Sequence, residues 1–562
     1  MNLLLSCAGG VNTIKLCRVP SLRPDLPNHR PVEYLLSRRI LTLLLLGMAS
    51  ACQPTSEDTD PPTLAILMAV DQLRADLLKN YDPLFEGGFR RLLDEGYRFE
   101  NATHDHAVTT TAPGHTTLAT GVHPTRHGVV GNSWFELEEG RWRNVYSLQD
   151  LDREILGYPE LPGRAPTNIY RAGLPDWIVA NDPASRVVSI SRKDRAAIGL
   201  AAKAAGDVYW LADEGGEFVT SDYYRAEYPA WITEFNATTM PLVYSDSVWE
   251  SIIPTTALSL TRPDRSRFEL DGEHSVFPHR ASETVDASDP RALNHWRYEF
   301  TPFPDRAVFA LATEAIRELQ LGQRGSVDYL GISLSQTDLI GHNFGPRSRE
   351  QLDNLLRLDV ELGRFLSFLD EAVGPGRWVL GLSADHGVLD IPEHLAEQGV
   401  DASRLTRSDR RQLSRSIQDV LDNVDDEDEP AEAVREAVLS LPFVAAAYTF
   451  DDVEQGQAID SFQVLYGRSH SRTRIVGLAA RSGVYVRFGP NVLESSFLRT
   501  SHGSPYYYDR HVPMIFLGGT ISAGVSSDRV ATVDMAPTLA WLTDTPAPDD
   551  LDGTILERSL RR

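Results

Sequence analysis

The sequence predicts an α/β fold with a mostly parallel central sheet, helices on both faces and inserted cap elements. Three predicted buried strands support this fold class: a continuous apolar run at residues 64–70 and two largely apolar runs at 327–334 and 378–383. Runs of this kind are typical of strands that are buried on both faces of an α/β sheet. Amphipathic helical patterns at 308–319 and 352–369 accompany the second and third runs.

Length, charge and cysteine content limit the classes of function. The 562 residues are enough for a large core, in one elaborated domain or two. The formal charge of −25 argues against nucleic-acid binding, which requires a basic face. Because the three cysteines, Cys7, Cys17 and Cys52, all lie early in the chain, cysteine-based catalysis and cysteine-ligated zinc are excluded from the main domain. Any metal there must be held by Asp, His, Glu or hydroxyl groups.

The first 52 residues have the features of an export signal. Two arginines precede a short apolar run at 40–48, and small residues follow as far as Cys52. A start site later than Met1 explains the upstream stretch 1–36. Cys52 is placed as in a bacterial lipoprotein box, so we expect a periplasmic protein or a cell-surface lipoprotein, with membrane contact only through a lipid on Cys52. Residues 53–62 are predicted to be a flexible tether and 63–562 the folded domain.

The first apolar run ends at Asp71, the position at which open α/β sheets bind ligands. The alternative is an aspartate that only begins a turn. The next stretch, TTTAPGH at 109–115, predicts a helix start, because Pro113 suits a first helical turn. Thr111 would then lie among unpaired N–H groups that favour an anion, or would simply cap the helix.

Two further polar positions follow in the chain. Asn132 stands beside a glycine, where it could bind a ligand or only form a turn. The strand predicted at 187–191 continues into Lys193 and Arg195. If the extended conformation continues, these two side chains point the same way and could clamp a phosphate; otherwise they face solvent.

Asp and His recur at the ends of the second and third apolar runs. Asp338 and His342 are four residues apart, so one helical turn would direct both at the same point. Asp385 and His386 follow the third run directly, and His502 is predicted in a loop that enters the sheet. Packing does not readily explain three strand ends that finish in Asp or Asp/His, and clustered carboxylates repel one another unless cations hold them.

The remaining regions elaborate this core. Insertions are predicted near 205–300, which is rich in aromatic residues, and near 395–495, which contains β-like runs and a helix. An apolar strand at 512–517 and a helix at 534–542 close the chain.

Together, these residues resemble the metal and nucleophile set of the alkaline phosphatase superfamily, and more closely that of the phosphate-irrepressible (PafA-type) alkaline phosphatases. The resemblance covers residues 62–560 in order and implies an alkaline-phosphatase-like core. The stretches that carry it are Thr111-Ala112-Pro113-Gly114-His115, Gly131-Asn132-Ser133-Trp134, Ser191-Arg192-Lys193-Asp194-Arg195, Thr220-Ser221-Asp222-Tyr223-Tyr224, Thr337-Asp338-Leu339-Ile340-Gly341-His342, Asp385-His386 and His502-Gly503-Ser504-Pro505.

The resemblance implies two Zn²⁺ ions per chain. One would be held by Asp71, Asp385, His386 and the Thr111 oxygen, and the other by Asp338, His342 and His502. Thr111 would attack phosphorus to give a phosphothreonine intermediate, while Asn132 binds non-bridging oxygens.

Lys193 and Arg195 favour phosphate monoesters, which expose a third charged oxygen that diesters lack. We therefore expect a monomeric alkaline phosphatase acting on small phosphate monoesters. One alternative is a phosphodiesterase or nucleotide pyrophosphatase, which by resemblance lacks this Lys/Arg pair. Another is a non-enzymatic surface lipoprotein that uses the fold for binding. The sequence lacks the Cys/Ser-x-Pro-x-Arg motif of sulfatases at Thr111 and the Gly-x-Ser-x-Gly elbow of serine esterases.

Overall fold

The computed structural model of the chain describes residues 61–423, 430–455, 460–495 and 497–560. The predicted export region 1–52, with Cys52, and nearly all of the tether 53–62 lie outside these residues and stay predictions. Within the described ranges, none of the helices combines the length and apolar character needed to cross a membrane.

Nine strands of the described residues form one mixed sheet. They are β1 (Leu64–Val70), β2 (Tyr97–Thr103), β3 (Val187–Ser191), β4 (Asp207–Leu211), β5 (Phe218–Val219), β6 (Asp328–Leu334), β7 (Trp378–Ser383), β8 (His511–Gly518) and β9 (Gly524–Ala531). Their order across the sheet is β9-β2-β8-β7-β1-β6-β3-β4-β5. Every neighbouring pair from β7 to β4 is parallel, whereas β8 is antiparallel to both of its neighbours.

Six helices carry or support the functional residues. They are α1 (Thr111–Thr120), α2 (Asp194–Ala201), α3 (Phe303–Leu319), α4 (Gln336–Phe344), α5 (Arg349–Ala372) and α6 (Met535–Leu542). The other α-helices are Ala75–Tyr81, Gly88–Glu95, Pro124–His127, Leu174–Asn181, Ala230–Glu234, Met240–Val243, Ala281–Thr284, Pro290–Phe300, Pro392–Glu397, Arg407–Leu421, Pro430–Leu439, Phe450–Glu454, Ser461–Ser469 and Tyr507–Arg510.

The sheet separates two hydrophobic cores. Because strand side chains alternate, Ile66 and Met68 of β1 pack into a core with α3 and α5, while Ala65 and Leu67 pack into a second core with α1 and α6. Burial on both faces is the reason that β1 is a continuous apolar run. The predicted α/β fold, with a mostly parallel sheet and helices on both faces, is confirmed.

The register of the central strands brings their carboxyl ends level. Val70, the last residue of β1, pairs with Leu334 at the end of β6, and Ala69 pairs with Ser383 at the end of β7. The residues that follow these three strands therefore meet at one edge of the sheet.

The insertions differ partly from the prediction. Strands β4 and β5 fall within the region near 205–300 but extend the central sheet, so the added elements begin after residue 219. The second insertion, near 395–495, contains an antiparallel pair, Val444–Thr449 with Val484–Phe488. One apolar cluster lies wholly within this insertion, and a second also includes Ala107. Two β-hairpins were not predicted from the sequence: Ser133–Glu138 with Arg141–Tyr146, and Gln149–Ile155 with Tyr158–Arg164.

Candidate active site

Four adjacent strand ends supply the polar residues of the candidate site. Asp71 follows β1, Lys193 follows β3, Asp338 lies in the first turn of α4 after β6, and Asp385 follows β7. All four side chains are buried. Their meeting at one edge of the sheet follows from the strand register.

The first group of metal-ligating atoms comes from Asp71, Asp385 and His386, whose ligand atoms lie within 4.8 Å of one another. His386 Nε2 is 3.5 Å from Asp71 Oδ1 and 3.2 Å from Asp385 Oδ2. All three atoms are buried without a hydrogen-bond partner. Unpaired buried polar atoms are costly, so three that converge indicate a site for a cation.

The second group centres on Asp338. Its Oδ1 lies 3.0 Å from His342 Nε2 and 3.6 Å from His502 Nε2. The ligand atoms of Asp338, His502 and His386 also lie within 4.8 Å of one another, and the rings of His386 and His502 stack at 3.4 Å. His386 is therefore within reach of both groups, whereas the sequence analysis assigned it to the first alone.

The three imidazoles are oriented in the same way. Nδ1 of His342, His386 and His502 lies 2.8 to 3.0 Å from the backbone carbonyls of Thr500, Gly387 and Thr109, respectively. A carbonyl only accepts, so each Nδ1 carries the hydrogen and donates it. In the neutral form of each ring the lone pair is then on Nε2, which faces the carboxylates, and this is the arrangement of a metal-ligating histidine.

The electrostatics of the cluster favour cations. Burial, and then the neighbouring Asp338 and Asp385, raise the pKa of Asp71 to about 6. Burial lowers the pKa of His386, but Asp385 and Asp71 outweigh it and raise that pKa to about 9. Lys193 Nζ donates to Oδ2 of both Asp71 and Asp338, at 2.5 Å each. One ammonium group does not balance three carboxylates.

Thr111 is the first residue of α1 and is buried. No side-chain cap is formed at the start of α1. In the first turn, Gly114 packs directly against Asp385, because a Cβ on this glycine would lie 2.2 Å from the Asp385 carbonyl oxygen. The N-terminus of α1 is therefore fixed against the first group.

Asn132 and Arg195 lie close to these elements. Asn132 Oδ1 accepts a hydrogen bond from the N–H of Ala112 at 2.8 Å, which leaves its amide hydrogens free to donate elsewhere. Helix α2 begins at Asp194, so the extended conformation ends at Lys193 and the predicted alternation that aligned Lys193 with Arg195 does not apply. The Arg195 Nε is buried without a hydrogen-bond partner. A shared phosphate-binding role for the two cations stays a prediction.

Two supporting residues, Gln72 and Asp305, were not predicted from the sequence. Gln72 is fully buried and contacts Asp338 and Asp385; its position directly after Asp71 was the available signal. Asp305 accepts a hydrogen bond from the backbone N–H of Ser335 at 2.8 Å at the start of α4. No short-range pattern identifies Asp305, because it is about 30 residues from the helix it stabilises.

Comparisons with known proteins agree with this arrangement. A family model described as type I phosphodiesterase / nucleotide pyrophosphatase matches residues 65–503. The chain belongs to this family. It is 29% identical to alkaline phosphatase PhoV of Synechococcus elongatus, over 89% of this chain and 93% of PhoV. It is 28% identical to alkaline phosphatase PafA of Elizabethkingia meningoseptica, over 91% of this chain and 96% of PafA.

A solved structure of wild-type PafA matches with a TM-score of 0.80 and 26% identity, covering 90% of this chain and all of the other. These matches confirm the prediction of a PafA-type alkaline phosphatase within the phosphodiesterase family, and with it the prediction of an enzyme. The non-enzymatic binding module is set aside.

Proposed function

We propose that the chain is a phosphate monoesterase that uses Thr111 as its nucleophile beside two bound Zn²⁺ ions. The observation that carries this proposal is the pair of ligand groups that share His386 next to the N-terminus of α1. Family membership supports hydrolysis of phosphate esters; the residue roles and the metal are our inference.

The ligand atoms suit zinc. The first group has two carboxylates and an imidazole, and the second has one carboxylate and imidazoles. Zn²⁺ takes such oxygen and nitrogen ligands, and the orphaned atoms of Asp71, Asp385 and His386 are where a ligand bond is needed. When bound, divalent cations would lower the pKa of a nearby hydroxyl and offset charge on the oxygens of the transferring phosphoryl group.

The chain's own residues bind and orient the phosphate. The backbone N–H of Thr111 and the amide hydrogens of Asn132 are available for its non-bridging oxygens, since the Ala112 N–H is bonded to Asn132 Oδ1 and the Gly114 N–H to the Thr110 carbonyl. The Thr111 oxygen loses its proton and forms a bond to phosphorus as the bond to the ester oxygen breaks, and that oxygen takes up a proton and leaves as the alcohol. Water then attacks the phosphothreonine, the Thr111–phosphorus bond breaks, one proton of the water returns to the Thr111 oxygen, and inorganic phosphate leaves.

Lys193 and Arg195 decide between monoester and diester substrates in this proposal. A monoester dianion presents a third charged oxygen to these cations, whereas a diester carries a second ester group there. The description of the family model favours a second candidate, a phosphodiesterase or nucleotide pyrophosphatase.

The double variant Lys193→Ala/Arg195→Ala tests this choice. Losing two charge-assisted contacts, each worth about 1.5–3 kcal/mol, should lower kcat/KM for an aryl phosphate monoester by about 10²- to 10⁴-fold. The value for a bis-aryl diester should fall far less. Metal content is measured on the same samples, because Lys193 also contacts Asp71 and Asp338.

Lys203→Ala is the matched control, since the ammonium group of this exposed lysine donates to the backbone carbonyl of Ile169 at 3.0 Å. Its kinetic constants should not change. Equal losses on both substrates, at unchanged metal content, would refute the assignment of Lys193 and Arg195. A wild-type preference for the diester would favour the second candidate.

We further propose that the protein is exported, is anchored by a lipid on Cys52 and acts as a monomer. Support comes from the signal-like pattern before Cys52. Membrane fractionation of the wild type and a Cys52→Ser variant tests the anchor. The wild type should be found in the membrane fraction and the variant in the soluble fraction. Sedimentation of that soluble variant tests the monomer.

A further inference from the structure

Gln72 has an unusual backbone conformation for its residue type. It follows Asp71 directly, is fully buried and has a φ of +67°, a region that residues other than glycine rarely adopt. Such conformations persist where surrounding contacts impose them, and they concentrate at functional sites.

Those contacts reach both ligand groups. The backbone N–H of Gln72 donates to Asp385 Oδ1 at 3.1 Å, and its side-chain Nε2 donates to Asp338 Oδ1 at 2.5 Å. Asp338 Oδ1 is also the oxygen that faces His342 Nε2, at 3.0 Å. The other oxygen of Asp338 accepts from Lys193. The amide of Gln72 therefore holds the ligand oxygen of Asp338 towards the second group.

Helix α4 leaves room for this amide only because residue 341 is glycine. A Cβ on Gly341 would lie 1.8 Å from Gln72 Oε1, and its next heavy-atom neighbour outside Gln72 would be Gln351 Nε2, at 3.2 Å. Gln72 Oε1 is buried and has no hydrogen-bond partner. The side chain is thus held through its donor end alone, by Asp338.

We propose that Gln72 is a positioning residue that orients Asp338 for the second cation, through a hydrogen bond that Gly341 makes room for. This inference rests on the proposed function, since it requires a cation at each ligand group. Partners that orient a metal ligand typically change metal affinity by about 10- to 100-fold when removed. The contact to Asp385 comes from the backbone, so replacing the side chain should affect the second ion and spare the first.

The test is a zinc titration of chelator-stripped protein against a competing chromophoric chelator, which reports stoichiometry and both affinities without any activity measurement. In Gln72→Ala the second ion should bind about 10- to 100-fold more weakly, while the first keeps its affinity within about twofold. Gln72→Glu, which keeps the shape but replaces the donor by a carboxylate beside Asp338, should not restore wild-type affinity.

Gly341→Ala gives an independent approach. Its methyl group displaces the Gln72 amide, so it should weaken the second ion as Gln72→Ala does. In the double variant the amide is already absent, and the second substitution should add little to the loss. Additive losses would mean that Gly341 acts on its own helix, and would overturn the proposed link.

Gln320→Ala is the matched control. Gln320 is also a glutamine with positive φ, +48°, but it is exposed and ends α3. Its substitution should leave both affinities unchanged, and circular dichroism of all metal-free variants checks that they fold. A wild type that binds fewer than two ions refutes the proposed function. If the wild type and Gln72→Ala both bind two ions with the same affinities, the role of Gln72 is refuted and the proposed function stands.

Discussion

Replacing Gly114 by alanine should lower kcat strongly, although the substitution removes none of the proposed catalytic side chains. Gly114 lies in the first turn of α1, three residues after Thr111. An added Cβ would be 2.2 Å from the Asp385 carbonyl oxygen and 2.7 Å from the Asp385 Cβ. Neither neighbour is the flexible end of a side chain, so the clash can be relieved only if α1 and the segment of Asp385 move apart.

The size of the effect follows from these distances. Carbon–oxygen contacts of about 3.5 Å are ordinary, so the two segments must separate by roughly 1 Å. A misplacement of about 1 Å can cost about 10²-fold in rate when it moves reacting groups. Overpacking a well-packed interior usually costs about 1–3 kcal/mol in the free energy of unfolding. We therefore expect kcat on an aryl phosphate to fall about 100-fold, with a folded protein.

The assay pairs steady-state kinetics with urea unfolding on the same preparation. Gly489→Ala is the matched control, because the contact nearest to its added Cβ is the Val492 side chain at 3.3 Å, remote from the site in sequence and element. That variant should retain kcat within about twofold, as is usual for substitutions away from special features. A fully active Gly114→Ala enzyme of wild-type stability would refute the packing of α1 on Asp385 as a requirement for catalysis.

Two further predictions concern Thr111 and Asp305. In Thr111→Ala, kcat should fall at least about 10³-fold and acid-stable labelling by ³²P-phosphate should be lost. Thr111→Ser keeps the hydroxyl, so it should retain both turnover and labelling. Turnover by the alanine variant at the wild-type rate would place the nucleophile elsewhere. Burial raises the pKa of Asp305 from 3.8 to about 7, so the folded protein binds the carboxyl proton more tightly than the unfolded chain does. The free energy of unfolding should therefore fall as the pH rises from about 4 to about 7. In urea unfolding of chelator-stripped protein, Asp305→Asn should flatten that slope, and equal slopes in both proteins would contradict the assignment.

Much of the site could be predicted because it depends on the sheet. The predicted runs at 64–70 and 378–383 are strands with the same bounds, and 327–334 differs by one residue. Parallel strands buried on both faces are largely apolar, so the polar residues that come shortly after each run are conspicuous in the sequence. Asp71, Asp338 and Asp385 were found in this way.

The parts that could not be predicted depend on where local structure changes. Lys193 and Arg195 were aligned on the assumption of a continuing strand, but α2 begins at Asp194 between them. The side chain of Asp194 is in turn bound by Tyr146, at 2.5 Å, and by Arg164. Both partners come from hairpins 30 or more residues away, and no local pattern shows that they return to this loop.

The geometry of the cluster also explains why apolar residues are required within the strands and why the carboxylates of the site lie at the carboxyl edge of the sheet. Within β1 every side chain is buried in one core or the other, so a carboxylate inside the strand would be buried without a partner. Only at the carboxyl edge, where Val70 and Leu334 end level, can several carboxylates meet groups that compensate them. There the like charges oppose folding unless Lys193 and bound cations offset them. The apolar strands therefore provide the stability that allows this edge to be electrostatically unfavourable in the metal-free state, and that unfavourable charge is what gives the edge its affinity for cations.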